Sequence, residues 1–131
     1  MQKIIFFGGK GGVGKTSCST AFAMKKAKEG LSVLLVSTDP AHSISDLLNL
    51  NINDKIKKIK KNLFATEIDA QKESEKYINS IKSNLQSIVS PIIIDQIKKQ
   101  LDAARVSPGA HESALFDKML ELIITKSKEY D

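Results

Sequence analysis

The 131-residue chain has no tryptophan, three prolines and a single cysteine, and aromatic residues make up only 5% of it. One cysteine, Cys18, excludes an intramolecular disulfide framework and fits a reducing compartment. No apolar run approaches the ~20 residues of a membrane-spanning helix. The opening run Ile4-Ile5-Phe6-Phe7 is too short for the apolar region of a secretory signal. What remains is ordinary for one globular domain with a core: 41% hydrophobic and 27% charged residues. The net charge is +5, and much of it comes from the run Lys55 to Lys61. Ile56, Ile59 and Leu63 recur there at helical spacing, so the run reads as the solvated face of a helix. No aromatic residue interleaves its lysines, which argues against a nucleic-acid surface.

Glycine is not spread evenly. Five of the seven fall within GGKGGVGKTS, Gly8 to Ser17, directly after the apolar run. Gly9-Lys10-Gly11-Gly12-Val13-Gly14-Lys15-Thr16 fits G-x-x-x-x-G-K-[ST] at every fixed position, between a strand-like run and a helical pattern. Glycines permit a strained loop whose amides form an anion nest, and the following helix adds its positive end. On this reading Lys15 meets the β- and γ-phosphates of ATP, Thr16 ligates Mg²⁺ and Ser17 donates to an α-phosphate oxygen. The pattern points to a nucleoside triphosphate and is silent on what its energy drives.

The rest of the chain alternates. Lys3–Gly8 reads as a buried strand, Lys15–Glu29 as a helix stopped at Gly30, and Leu31–Ser37 as a second strand. Ser43–Leu48 reads as a short helix and Leu63–Ile68 as a third strand. Strands alternating with helices predict an α/β fold with a parallel sheet of three visible strands. After it come helices only. Tyr77, Ile78, Ile81, Leu85 and Ile88 form one apolar stripe, and Ser90-Pro91 interrupts it. Ile92, Ile93, Ile97 and Leu101 form another. Val106-Ser107-Pro108-Gly109 reads as a turn, and His111–Ser127 is a last helix with Leu115, Met119, Leu122 and Ile123 inward. The 131 residues read as part of one ATPase domain, with 70–106 opening a helical subdomain.

Ser37-Thr38-Asp39-Pro40-Ala41-His42-Ser43-Ile44-Ser45-Asp46 follows the second strand, where open α/β sheets place ligands. A carboxylate there, Asp39, can orient and polarise a water for attack on the γ-phosphorus. The plainer reading makes Asp39 or Ser43 a helix cap. His42 reads as a loop hydrogen-bonding residue, His111 as exposed, Cys18 as small and buried, and Glu112 as a first-turn carboxylate.

Lys10 is the second lysine in the loop. K-G-G-V-G-K-T resembles the deviant Walker A family of MinD, ParA, the nitrogenase iron protein and the arsenite and tail-anchor targeting ATPases. D-P-A-H-S-I-S-D resembles the switch I loop of its ArsA/guided-entry branch. Glu67-Ile68-Asp69 and Pro108-Gly109-Ala110-His111-Glu112 are similar to that branch's E-I-D and P-G-x-x-E. The resemblance implies an ATP-dependent homodimer in which Lys10 crosses to the partner's nucleotide; the plainer reading of Lys10 is a solvated cation. It also implies a cytoplasmic ATPase that captures tail-anchored membrane proteins and brings them to a membrane. The alternatives are the ATPase of an arsenite or antimonite efflux pump, with a membrane subunit as partner, and a nucleotide-binding module without turnover. A MinD/ParA-like positioning protein is disfavoured by the D-P-A-H string. The family's switch II strand, adenine loop and zinc-binding C-x-x-C pair have no match here, so the resemblance covers the amino-terminal part of the family.

Overall fold

The computed structural model describes residues 3–39, 41, 43–86, 88, 90–105 and 107–131, with the backbone alone at Gln86, Pro91, Ile92, Arg105 and Pro108. The elements run α1 (Lys15–Lys28), β1 (Val33–Ser37), α2 (Ser43–Leu48), β2 (Lys57–Lys60), β3 (Leu63–Glu67), α3 (Ala70–Gln86), α4 (Pro91–Arg105) and α5 (Pro108–Lys126), then a 3-10 turn, Ser127–Glu129. The fold is α/β with a three-stranded sheet, as the sequence leads one to expect. Compactness divides the chain into two units, Met1–Ile68 with Glu121–Asp131, and Asp69–Leu120.

In the first unit the sheet order is β1-β3-β2. β1 and β3 are parallel, with Val33 opposite Leu63 and Ser37 opposite Glu67. β3 is central and four of its five residues are buried, the continuous burial expected of a strand with neighbours on both sides. Ala23 and Ala27 of α1 pack on the sheet with Leu35, Ile44, Ile52, Leu63 and Ala65. Gly30 ends α1 at φ +99°, a left-handed conformation that costs glycine little.

Two expectations about the sheet fail. Lys55–Lys61 is not a helix, because Lys57–Lys60 pairs antiparallel with β3. A bulge between Lys58 and Lys60 lets Ile59 turn toward the core while the lysines face solvent. Lysines along an edge strand also discourage pairing with another chain. The expected strand Lys3–Gly8 does not form among the described residues. Asp131 stands between its start and β1: Asp131 N–H donates to Ser32 O (2.8 Å), and Lys3 N–H donates to Asp131 O (2.7 Å). The side chains of Ile4 to Phe7 stay exposed, Phe6 at 72%.

In the second unit Asp69 Oδ1 caps α3 by accepting from Gln71 N (3.0 Å) and Lys72 N (3.1 Å). Ser107 Oγ accepts from Ala110 N (3.3 Å) at the start of α5. Pro91 and Pro108 each begin a helix, so Pro108-Gly109 opens α5 and is not part of the expected turn; Val106 lies outside the described residues. Lys82 Nζ and Asp102 Oδ1 join α3 to α4 at 2.6 Å. Ile78, Ile94 and Ala114 are buried. The first stripe therefore holds at Ile78, with Ile81 and Leu85 half-buried. Ile88 is 81% exposed, however, and in α4 it is Ile94, not Ile93, that turns inward. The Ile92 side chain lies outside the described residues. No described helix is long and apolar enough to cross a membrane.

Candidate functional site

The glycine loop runs into α1 through Gly14, whose left-handed backbone (φ 87°, ψ 19°) is the helix N-cap. Gly12 is also left-handed, at φ 76°. A Cβ on Gly9 would approach Val13 Cγ2 to 3.0 Å, close enough that the Val13 side chain would have to give way. No side chain caps α1, so the free amide groups of its first turn are left for a ligand or solvent. Lys15 Nζ donates to Lys10 O at 3.0 Å, reaching back across the loop. The Lys10 side chain is exposed, as are Gly11, Val13 and Ser17. A bare cradle, an uncapped helix start and an ammonium across its mouth fit the phosphates of a nucleotide.

The loop after β1 reaches this cradle. Thr16 Oγ1 lies 2.8 Å from Ser43 Oγ, and Ser43 Oγ lies 3.2 Å from Asp39 Oδ2. Proton counting orients the chain. A carboxylate oxygen accepts, so the Ser43 hydroxyl gives Asp39 its one proton, and Thr16 must donate to Ser43. The Thr16 oxygen thereby keeps its lone pairs for a hard cation such as Mg²⁺. Asp39 is half-buried and fixed further: Oδ1 accepts from Ala41 N (3.0 Å), and its own N–H donates to Ser37 Oγ (3.1 Å). The two motifs thus meet beyond the carboxyl end of β1, where the sequence reading placed them.

The cap of α2 is not Asp39 or Ser43. Glu67, 1% exposed at the end of β3, supplies it. Glu67 Oε1 accepts from Ile44 N (2.8 Å) and Ser45 N (3.2 Å), and Oε2 accepts from Ser45 Oγ (2.7 Å). Sequence reasoning missed Ser43 as the link and Glu67 as the cap. Both stood inside quoted motifs, but the contacts span 27 and 23 residues, beyond what local pattern reveals.

Three smaller expectations change. Cys18 is exposed, not buried. His111 is half-buried, not exposed. Glu112 lies past the first turn of α5, which holds no acidic residue. Pro40 and His42 lie outside the described residues. Among the described residues, no three His, Cys, Asp or Glu side chains gather as a metal site.

Comparison with known proteins agrees with this geometry. The model of the anion-transporting ATPases, ArsA_ATPase, matches residues 2–131. A relative from Aquifex aeolicus is 35% identical over 130 residues, 99% of this chain and 43% of its own length. The arsenical pump-driving ATPase of Escherichia coli is 37% identical over 94% of this chain and 21% of its own. ATPase GET3A of Arabidopsis thaliana is 35% identical over 94% of this chain and 32% of its own. The chain therefore spans less than half the length of these relatives.

Proposed function

We propose, for a chain that belongs to the anion-transporting (ArsA) ATPase family, that the whole protein binds and hydrolyses ATP with Mg²⁺ as a homodimer. Its further use is to capture tail-anchored membrane proteins in the cytoplasm and deliver them to a membrane. The observation that carries the hydrolytic reading is the Thr16–Ser43–Asp39 chain, which ties a phosphate-loop hydroxyl to a carboxylate on a second loop.

Bound Mg²⁺ supplies counter-charge to the phosphate oxygens. The protein groups do the rest. Lys15 leaves the Lys10 carbonyl for the β- and γ-phosphates, a stronger, charge-assisted partner. The amides of Gly9, Gly11, Gly12, Val13 and Gly14 line the phosphates, and Ser17 takes an α-phosphate oxygen. Thr16 offers its oxygen to the cation. Asp39 accepts a hydrogen bond from the attacking water and raises its nucleophilicity. Lys10, exposed at the crown, is free to reach a nucleotide held by a second copy.

Exposed apolar side chains of the second unit, Ile88 between α3 and α4 and Ile93 and Phe116 on the helices, support an apolar client. A second reading, the motor of an arsenite or antimonite efflux pump with a membrane subunit, is favoured by relatives named arsenical pump-driving ATPases. One experiment separates them. The intact protein is assayed for Mg²⁺-dependent ATP hydrolysis, for stimulation by antimonite, and for retention of a tail-anchored segment in solution. Hydrolysis with retention supports targeting, and hydrolysis stimulated by antimonite supports the pump. Absence of hydrolysis refutes both and leaves a binding module.

A further inference from the structure

We infer that Glu67 is a positioning residue for turnover, holding the Asp39 loop against the phosphate loop; this rests on the hydrolytic reading above. The loop from Ser37 to Ser45 is clamped at both ends by two adjacent residues of one strand end. At one end Ile68 N–H donates to Ser37 O (2.8 Å), and Ser37 Oγ in turn accepts from Asp39 N (3.1 Å). At the other, the Glu67 carboxylate takes the amides of Ile44 and Ser45 and the Ser45 hydroxyl, at 2.8, 3.2 and 2.7 Å. Between the clamps lie Ser43, which reaches Thr16, and Asp39, which accepts from Ser43.

The clamp is itself braced. Ser45 Oγ accepts from Ile52 N (3.1 Å), while Glu67 N–H and Thr66 Oγ1 both donate to Asn53 O, at 2.9 and 3.1 Å. A carboxylate almost without exposure is costly unless its oxygens are satisfied. Here the donors come from the first turn of α2, so α2 cannot shift without leaving that carboxylate short of partners. The consequence is specific. Lys15 and the glycine loop bind phosphate without Glu67, whereas Asp39 keeps its place because of it. Loss of Glu67 therefore touches the rate of turnover more than affinity for ATP.

The test uses the intact protein with Mg²⁺ and ATP. Glu67→Ala is expected to lower kcat about 10-fold or more with KM within about threefold. Glu67→Gln keeps one acceptor oxygen for both amides and is expected to stay within about threefold of wild type on both constants. If Glu67 acts through Asp39, the double variant Glu67→Ala/Asp39→Asn is no slower than Asp39→Asn alone. Wild-type kcat in Glu67→Ala overturns the inference, as does a multiplicative loss in the double variant. So does equal damage to kcat and KM. If Glu67→Ala does not fold, Ser45→Ala decides: a kcat loss of about threefold at unchanged KM supports the clamp, and an unchanged kcat overturns it. Asp39→Asn at full rate would bring down the hydrolytic reading and this inference together. A slow Asp39→Asn beside a normal Glu67→Ala removes this inference alone.

Discussion

The two units of the chain differ in what their buried polar groups join. At the strand ends of the first unit, Glu67 and Thr66 are buried and Ser45, Ser43 and Asp39 half-buried, and all take part in hydrogen bonds that join separate segments. In the second unit Glu73 and Ser74 are buried as well as Ile78, Ile94 and Ala114, but Glu73 pairs within its own helix, with Lys76 at 2.7 Å, and Ile88, Ile93 and Phe116 remain outside. Buried polar groups persist where every partner is supplied, which fixes geometry and suits chemistry. Large apolar side chains left in water suit contact with another apolar surface. The contrast predicts that turnover and any apolar contact made by the second unit can be broken separately.

The largest break is Lys15→Ala. The loop loses the ammonium facing the β- and γ-phosphates, and ATP binding by the intact protein is expected to fall below detection in a titration with a labelled analogue. Unchanged affinity would remove the phosphate-cradle assignment. Next is Asp39→Asn. The amide keeps the shape but not the charge that polarises water, so kcat is expected to drop by at least ~10²-fold with ATP affinity retained. Steady-state hydrolysis and equilibrium binding, measured side by side, check this; wild-type turnover would reduce Asp39 to a turn-forming residue.

The same contrast predicts the converse in the second unit. Ile88→Ser together with Ile93→Ser removes two exposed apolar side chains, each worth roughly 1.5–3 kcal/mol if a client buries it. Retention of a tail-anchored segment is expected to fall about 10-fold or more, with ATP hydrolysis within about twofold of wild type. Loss of hydrolysis and retention together would merge the two regions into one. Ile78, only 4% exposed, is the wrong residue for this purpose, since its loss would open a cavity in the unit's own core.

How much of this was legible in the sequence follows from what each signal depends on. The helix Lys15–Lys28, its stop at Gly30, the short helix Ser43–Leu48 and the phosphate loop rest on local chemistry, and they stand where the sequence put them. The sheet was legible only in part, because a strand is one side of a ladder. Ile4 to Phe7 have ideal strand composition, yet they join no ladder; Lys3 bonds instead to Asp131, which bonds to Ser32 just before β1. Lys57–Lys60 has poor strand composition, yet it is joined to β3 by two residues and pairs with it at once. Helical spacing of Ile56, Ile59 and Leu63 misled because the bulge, not a helical turn, brings Ile59 inward.

The smallest expected effect tests that last point and probes the first unit away from its site. Asn62 ends the two-residue link between β2 and β3 at φ 62°, in the left-handed region that asparagine tolerates far better than alanine. It lies at the amino end of β3, whereas the site gathers at the carboxyl ends. Asn62→Ala is expected to destabilise the intact protein by about 1 kcal/mol, and Asn62→Gly by less, because glycine enters this region freely. The Asn62 amide also donates to Ala27 O at 3.5 Å, a long bond whose loss adds little. Neither variant should alter kcat or ATP affinity. The sign of the alanine effect separates the two readings of this segment. A helix through Lys55–Leu63 would gain stability from alanine, the better helix former, while a hairpin turn with a left-handed residue must lose it. Denaturant melts of the three proteins, compared at constant slope, report that sign directly, and a stabilised alanine variant would restore the helix and dissolve the edge strand.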